Sequence, residues 1–464
     1  GLVRYLDAYP YTCVEQRISR AMPYALLMDR PELLAEAGRS PEDARRLARE
    51  RTDEAVRAIR SALMWRGVAP WPGADYDPLV TAYAADFLLT LREAGAALPG
   101  GLLSDVFDAL EAGLDAVPAT LEEARIQAYG LWVLTREGRI TAQAVERQVD
   151  LLEDRLPGWR KDVTSTLLAG CCAIMRMQDK SRRLIALSGT GDVSPEVPDR
   201  LDALACRALR ASVLARQFPD LSEADRDGLA GSLFDEVNGG RYVSLSAALG
   251  IRALLDMGKA AAPSLSGVSL RCASMQPGFL PSDAAPVALP GLLTLSLPGC
   301  AAYALDVPPS SPPLYWEVSS QGFDRRPPSA AVAEGLEVTR EYLDAEGVPV
   351  TKAKLGDVLT VSVTARSHGG PVADAVVVDL LPGGFEQVLS SESFGGEDAG
   401  GYVGMDRRED RVVAYTPLSV TPRTLTYKVR AVSRGTFALP PVQAEAMYAR
   451  SLRANSASGV FVVE

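Results

Sequence analysis

The stretch Thr81-Ala82-Tyr83-Ala84-Ala85-Asp86-Phe87-Leu88-Leu89 is the first of five similar segments, because four later segments repeat its character at intervals of about 40 residues. In each segment apolar residues recur every three or four positions, and small residues form one face on which helices can pack closely. The four are residues 126–134, 164–175, 203–216 and 244–257. The spacing leaves room for one partner helix after each segment. The sequence therefore predicts an α/α toroid of helical hairpins.

The chain changes character after Pro263. Up to residue 262 Ala, Leu and Arg dominate, whereas beyond it Ser, Val, Pro and Gly increase and short alternating runs predict strands. We expect strands at 292–297, 315–319, 336–342, 358–364, 375–381, 411–415, 425–431 and 435–439, and a Pro-rich linker at 324–328. The predicted fold class is multidomain, α then β: a helical domain at 1–262, a β-rich remainder and linker at 263–330, and an antiparallel β-sandwich at 331–464.

Composition excludes several classes of protein. A chain of 464 residues is too long for one ordinary core, and 47% hydrophobic with 23% charged residues indicates folded domains rather than disorder. A net charge of −11 without a basic stripe argues against a nucleic-acid partner. Apolar runs fall short of the roughly 20 residues that span a bilayer. The chain therefore reads as folded domains without a membrane-spanning segment of their own.

Cysteine and histidine usage limits the chemistry further. Six cysteines (Cys13, Cys171, Cys172, Cys206, Cys272 and Cys300) do not make a dense disulfide framework in a chain of this length. The single histidine, His368, is expected at the surface in a hairpin turn. With one histidine, the sequence lacks the ligands and bases that zinc sites and catalytic triads commonly use, and we predict no metal and no cofactor.

Cys13 and Gln16 are the candidate reactive pair. On the first turn of a helix, residues i and i+3 lie on one face, so the Cys13 sulfur can reach the side-chain carbonyl carbon of Gln16. Displacement of ammonia by the thiolate would form an internal thioester, an acyl group on a good leaving group. The plain alternative is a buried cysteine followed by a solvent-facing glutamine.

The context of the pair is distinctive. The run Tyr9-Pro10-Tyr11-Thr12-Cys13-Val14-Glu15-Gln16-Arg17-Ile18-Ser19-Arg20 resembles the thioester segment of bacterial alpha-2-macroglobulins, which has the form Y-P-Y-G-C-[LV]-E-Q-x-x-S-R. The stretch at 81–88 is similar to a helix of the same family, and residues 377–386, 408–414 and 444–448 resemble its last macroglobulin domain. The resemblance covers most of the chain.

The resemblance implies a role for each matching residue. Cys13 would supply the thioester sulfur and Gln16 the acyl carbon. Tyr9 and Tyr11 would shield the bond from water, and Met447 and Tyr448 would correspond to lid residues. The three domains would be the thioester domain, a CUB-like remainder and the macroglobulin-like sandwich.

The implied function is a broad-spectrum protease inhibitor with a single-use thioester, not a turnover enzyme. In the intact family a protease cuts a bait segment elsewhere in the protein, and here one of its lysines would then attack Gln16. Because residues 1–262 contain no histidine, direct attack by amines is the simplest route. The family also implies a role in bacterial defence.

The resemblance further implies a location and partners. The full-length protein would lie in the periplasm, held at the inner membrane by an N-terminal lipid anchor that is absent here, with a working link to a penicillin-binding protein. Since the chain starts directly before the reactive segment, we expect a piece of a larger protein.

Two other hypotheses remain. Thr12 stands where the family usually has glycine, and threonine rarely takes a positive φ, so the chain could be an interaction or scaffold module whose thioester is not formed. A terpenoid-cyclase-like enzyme also uses an α/α toroid. Such enzymes need aspartate clusters of the type D-x-D-D or D-D-x-x-D, which this sequence lacks.

Overall fold

Four helices of the N-terminal half begin where short polar side chains accept hydrogen bonds from the first free backbone amides. Asp77 accepts from the N–H groups of Leu79 and Val80 at 2.8 and 3.0 Å. The same capping starts three more helices, at Thr120, Asp162 and Asp202. Local sequence therefore fixes where these helices start.

This computed structural model describes residues 1–34, 41–71, 74–189, 200–218, 220, 223–240, 242–258, 265–279, 287–289, 292–295, 297, 299–309, 314, 316, 318, 328–388 and 404–464. Within them, the chain divides into two units, Gly1–Ser319 and Ser320–Glu464. This division does not test the predicted boundaries at 262 and 330, which stay predictions.

Twelve α-helices lie among the described residues of the first unit. They are α1 (Leu2–Ala8), α2 (Val14–Leu26), α3 (Pro41–Ala62), α4 (Pro78–Glu93), α5 (Leu102–Gly113), α6 (Leu121–Glu137), α7 (Ala142–Arg155), α8 (Val163–Ile174), α9 (Gln178–Leu187), α10 (Ala203–Gln217), α11 (Glu223–Asn238) and α12 (Ser244–Met257). Short 3₁₀ turns occur at Pro31–Leu34 and Trp159–Lys161.

The even-numbered helices form a closed inner ring. Each packs on the next, from α2 through α4, α6, α8 and α10 to α12, and α12 packs back on α2. The odd-numbered helices lie outside, each against one or two inner helices. Five of the six inner helices are the five segments singled out in the sequence, so the predicted α/α toroid is confirmed.

Small residues allow the inner helices to approach closely. A Cβ atom added to Gly170 of α8 would lie only 2.8 Å from Cγ1 of Val213 and 3.2 Å from Cδ1 of Trp132. These distances are shorter than ordinary van der Waals contact, so glycine is required there for packing rather than for backbone conformation.

A buried ion network crosses the centre of the ring. Asp86 of α4 is paired with Arg252 of α12 and with Arg136 of α6, the latter at 2.7 Å, and accepts a hydrogen bond from the Tyr129 hydroxyl at 2.5 Å. Burial alone would raise the pKa of Asp86, but the two guanidinium groups outweigh it and lower the pKa to about 2. The carboxylate therefore ties three inner helices together.

Short antiparallel strand pairs complete the first unit. They are β1 (Leu63–Met64) with β2 (Gly67–Val68), β3 (Ser269–Met275) with β6 (Cys300–Asp306), and β4 (Val287–Leu289) with β5 (Leu292–Thr294). A disulfide joins Cys272 of β3 to Cys300 of β6, a pairing that the sequence analysis did not foresee. The predicted strand at 292–297 corresponds to β5, whereas most of 315–319 and 324–328 lies outside the described residues.

The second unit consists of β-sheets. Its strands are β7 (Val332–Glu334), β8 (Leu336–Leu343), β9 (Lys352–Ala353), β10 (Val358–Ser367), β11 (Val372–Leu380), β12 (Phe385–Gln387), β13 (Gly404–Arg408), β14 (Arg411–Leu418), β15 (Arg423–Ala431), β16 (Gly435–Leu439), β17 (Gln443–Ala446), β18 (Ala449–Asn455) and β19 (Gly459–Val463). All six strands predicted beyond residue 331 are present.

Three sheets organise these strands. Their orders are β12-β15-β10-β8, β13-β14-β11-β17-β18-β7 and β16-β19-β9, and all pairs are antiparallel except β9 with β19. Alternate residues of β10 and β15 are buried, as expected for sheets with one face on a core. Helices followed by antiparallel sheets, the predicted fold class, are thus confirmed.

His368 lies in the turn between β10 and β11 and is exposed, as predicted. The turn is not a hairpin, however. β10 pairs with β8 and β15, whereas β11 pairs with β14 and β17. The connection therefore passes between two sheets, because both strands find partners that are distant in sequence.

Candidate functional site

The candidate reactive pair lies at the first turn of α2. Cys13 is the residue before the helix, with extended backbone angles of φ −63° and ψ 168°, and its N–H donates to Oε1 of Gln16 at 3.1 Å. The backbone of Gln16 makes the reciprocal contact with the Cys13 side chain, as in a capping box. Both side chains are buried, at 4% and 3% exposure. The two side chains that a thioester would join are therefore both buried, and each contacts the backbone of the other residue.

Thr12 adopts an ordinary backbone conformation. Among the described residues, the single non-glycine with a positive φ is Arg176. The carbonyl of Thr12 accepts a hydrogen bond from Nε of Arg17 at 2.7 Å. Threonine at this position is therefore compatible with the local geometry, and a glycine is not needed for its backbone angles.

Aromatic rings flank the pair on its N-terminal side. Tyr9 and Tyr11 are in edge contact with ring centroids 5.4 Å apart, and Tyr5 continues the row 5.5 Å from Tyr9. The ring centroid of Tyr242 lies 5.1 Å from that of Tyr5, also in edge contact. Tyr11 is buried and Tyr9 half-buried. The role of Tyr9 and Tyr11 in shielding the pair from water stays a prediction.

Two arginines of α2 hold this aromatic segment in place. Arg20 donates to the carbonyl of Tyr9 at 2.5 Å, and Arg17 holds the carbonyl of Thr12 as described above. Burial, followed by the charge of Arg51, lowers the pKa of Arg20 below its ordinary value. The loop from Tyr9 to Thr12 is therefore fixed by the same helix that carries the reactive pair.

Glu15, between the two residues of the candidate pair, is a buried carboxylate. It is 1% exposed and accepts from Oγ of Ser19 at 2.6 Å and from Oγ of Ser244 at 3.1 and 3.0 Å. The Tyr83 hydroxyl lies 3.1 Å from Oγ of Ser19 and donates to it, because the serine proton is used on Glu15. Burial and the charge of Glu15 raise the pKa of Tyr83. Glu15 thus joins α2 to α12 at the point where the ring closes.

An open cleft adjoins the pair on the other side. It has a volume of about 380 Å³ and lies between the start of α2, the end of α3 and the loop at residues 70–71. The N–H of Val14 donates to the carbonyl of Pro70 at 2.8 Å, which fixes that loop against α2. We call it the α2–α3 cleft, and its lining residues are Thr12, Val14, Arg17, Glu54, Arg57, Ala58, Ser61, Pro70 and Trp71.

Met447 and Tyr448 lie in the second unit. They form the two-residue turn between β17 and β18, where Ala446 pairs with Ala449. Met447 is 3% exposed, its N–H donates to the carbonyl of Asp374 at 2.8 Å, and Tyr448 is half-buried. Their assignment as lid residues stays a prediction.

Sequence reasoning missed several residues of this site. Ser244 and Glu15 are 229 positions apart, so only the closed ring brings them together. Tyr5 carried a local signal, since it lies four residues before Tyr9 and shares its helical face. Within the described residues, no group of three or more His, Cys, Asp or Glu side chains could hold a metal ion.

Known proteins resemble the chain over its whole length. A family model described as the bacterial alpha-2-macroglobulin MG10 domain matches residues 335–450. An alpha-2-macroglobulin of Pasteurella multocida is 28% identical over 99% of this chain, and an alpha-2-macroglobulin homolog of Yersinia pestis is 27% identical over 98%. The chain spans only about a quarter of the length of these relatives, 25% and 24% respectively.

Solved structures share the fold. A mutant of Salmonella alpha-2-macroglobulin superposes with a TM-score of 0.78 at 24% identity, covering 100% of this chain and 30% of the other. Native Escherichia coli alpha-2-macroglobulin, from domain MG7 to its C-terminus, gives a TM-score of 0.73 at 22% identity, covering 100% of this chain and 75% of the other. Salmonella alpha-2-macroglobulin reacted with methylamine gives a TM-score of 0.75 at 23% identity, covering 100% of this chain and 30% of the other.

Proposed function

We propose, from the premise that this chain belongs to the bacterial alpha-2-macroglobulin family, that Cys13 and Gln16 form a thioester that traps proteases covalently. The relationship supports a protease-trapping role in general. The observation that carries the finer proposal is the buried, reciprocal contact between Cys13 and Gln16 at the start of α2. The chain would act once per molecule and not turn over.

The thioester forms in one step and is opened by an amine in a second. Attack of the Cys13 sulfur on Cδ of Gln16 expels ammonia and leaves a thioester. A lysine amine of the protease then attacks the same carbon, the carbon–sulfur bond breaks, and the proton lost by the amine is taken up by the released Cys13 thiolate. Because Cys13 precedes the first turn of α2, the positive end of the helix stabilises the thiolate as it leaves.

Shielding is required because water competes with the amine. Tyr9 and Tyr11 are proposed to keep water from the bond within the first unit, supported by the row of ring contacts and by the burial of Tyr11. A further shielding role is proposed for Met447 and Tyr448 on the basis of the family resemblance. The scaffold hypothesis has no observation in its favour, since Thr12 takes no positive φ.

The disulfide supports a location. Cys272–Cys300 is the kind of bond that persists in oxidising compartments such as the bacterial periplasm, where we propose that the protein acts. Among the described residues, no helix is both long and apolar enough to cross a bilayer. An inner-membrane anchor and a link with a penicillin-binding protein are further proposals, testable by cell fractionation and co-purification.

Thiol release on treatment with methylamine tests the proposal. We expect one new titratable thiol per molecule under native conditions, and none from a Cys13→Ala variant. The other free cysteines do not interfere, because Cys171, Cys172 and Cys206 are buried and burial raises the pKa of Cys171 to about 12. A thiol at position 13 that titrates before any amine is added would overturn the proposal.

A further inference from the structure

The α2–α3 cleft has no role in the chemistry described so far, although it begins beside the reactive pair. Thr12 and Val14, the two neighbours of Cys13, form part of its wall. Cys13 and Gln16 themselves do not line the cleft, so a group bound there lies beside the residues that flank Cys13. The charge and shape of the cleft can therefore act on an amine that approaches the pair from this side.

Positive charge predominates in and behind the cleft. Glu54 is 2.7 Å from Arg17 and 3.6 Å from Arg51, so its charge is neutralised from two sides. Arg51 also lies 3.8 Å from Asp7. Together with Arg57, the arginines Arg17 and Arg51 give three positive charges against the two negative charges of Glu54 and Asp7. The net charge of these five groups is therefore positive.

Arg57 is the cation available to a ligand. It is exposed on α3 and makes no ion pair or hydrogen bond with any residue that the structure describes. A guanidinium group presents a planar fork of N–H donors that suits a carboxylate in a bidentate geometry. An ammonium group is not favoured there, because the one carboxylate of the lining is already occupied by arginines.

The rest of the lining suits a short alkyl chain. Val14, Ala58, Pro70 and Trp71 supply apolar walls, and a volume of about 380 Å³ is within the range of small-ligand clefts. A molecule with an amine at one end and a carboxylate at the other can thus lie along the cleft. In a protein target, the same chemistry is a lysine with an acidic neighbour.

We propose that the α2–α3 cleft binds a carboxylate carried near the attacking amine, through Arg57, and so makes the thioester react preferentially with lysines that have acidic neighbours. The proposal rests on the function proposed above, since it needs the thioester. It adds a specificity determinant, Arg57, and a ligand class, amines that bear a carboxylate.

A matched pair of amines tests this inference. Thiol release from the native protein is measured with 6-aminohexanoate and with its neutral amide, at equal concentrations of free amine, and with methylamine as a reference. We expect the carboxylate to react about two- to fivefold faster than the amide at low salt, the range of one exposed charge pair. The ratio of the two rates, carboxylate to amide, should fall to about one at high salt and in an Arg57→Gln variant. In Arg57→Glu the amide should react faster than the carboxylate.

Arg60→Gln is the matched control, because Arg60 is exposed on the same helix but does not line the cleft. It should leave the ratio unchanged, and the rate with methylamine, which carries no carboxylate, serves as the reference for each variant. If methylamine reacts and the wild-type ratio is one, or if Arg57→Gln leaves a raised ratio intact, the cleft proposal is wrong while the thioester stands. If no amine releases thiol, both proposals fail.

Discussion

Glu15 joins the first turn of α2 to α12. Its carboxylate accepts hydrogen bonds from Ser19 and Ser244 in a fully buried site. In Glu15→Gln, the new amide group would point N–H donors at hydroxyl groups that already donate. We expect a loss of about 1–3 kcal/mol in the free energy of unfolding, the cost of a buried polar group left unpaired. Urea unfolding measures it.

Glu50→Gln serves as the control for this substitution. Glu50 is an exposed residue of α3 and makes only a loose pair with Arg46 at 3.8 Å. Its replacement should change the free energy of unfolding by less than about 0.5 kcal/mol. Equal effects of the two substitutions would mean that the Glu15 contacts contribute nothing specific to stability.

Asp86 makes stability depend on pH. Its pKa is about 2 in the folded protein, below the ordinary 3.8, because Arg252 and Arg136 outweigh the effect of burial. The stabilisation is therefore complete above about pH 4 and is lost as the pH falls through the folded value. It amounts to about 2 kcal/mol by linkage.

Asp86→Asn tests this pH dependence. The variant leaves the buried Arg252 without its paired carboxylate and Arg136 with Glu93 alone, and should lose about 3–5 kcal/mol at neutral pH. Its free energy of unfolding should also fall less steeply than that of the wild type between pH 4 and 2. Parallel pH curves for the two proteins would contradict the pairing of Asp86 with the arginines.

Local patterns made single residues predictable only where the partners are close in sequence. Cys13, Gln16, Tyr9 and Tyr11 lie within one short stretch, so helical spacing and family resemblance were enough to name them. The contact of Glu15 with Ser244, by contrast, depends on α12 returning to α2. No periodicity in the sequence states which helices become neighbours.

At the scale of elements, the inner helices depend on small residues. In Gly170→Ala, the added methyl group would lie 2.8 Å from Val213 and 3.2 Å from Trp132. We expect a loss of about 1–3 kcal/mol from overpacking, despite the higher helix propensity of alanine. Gly228→Ala in α11 is the control, since a Cβ there meets nothing within 4 Å. The control should be neutral or stabilising, and equal losses in both variants would argue against close packing at Gly170.

The disulfide is the expected stabiliser of β3 and β6, since most residues of both strands are exposed or half-buried. It closes a segment with a sequence separation of 28, for which chain entropy predicts about 3–4 kcal/mol. A Cys272→Ala, Cys300→Ala double variant should show faster amide hydrogen exchange in these strands and unchanged exchange in the inner helices. Unchanged exchange in β3 and β6 would contradict this role.

Elements with a clear period were predictable from the sequence, but their partners were not. Apolar recurrence at three and four positions identified five inner helices, and short strand-like runs at sandwich spacing identified six strands of the second unit. The turn at His368 was predicted as a hairpin, yet it connects two sheets. Strand pairing is set by non-local contacts, which alternation along one strand does not encode.

At the scale of the whole molecule, two units with different architectures carry one proposed activity. The helical ring holds the candidate reactive pair, the row of tyrosine rings and the α2–α3 cleft, and residues 335–450 of the second unit match a macroglobulin domain. The order of these units followed from composition and from the family resemblance. The activity of the intact relatives, whose length is about four times greater, comes to this chain as a proposal.

The intact mass of the natively isolated protein tests the thioester most directly. Closure of the bond removes one ammonia, so we expect a mass about 17 Da below that of the open chain, and a gain of about 31 Da on reaction with methylamine at Gln16, to about 14 Da above the open chain. The Cys13→Ala variant should show neither change. A full mass before treatment, with a freely titrating Cys13 and an unmodified Gln16 after it, would contradict the covalent trap.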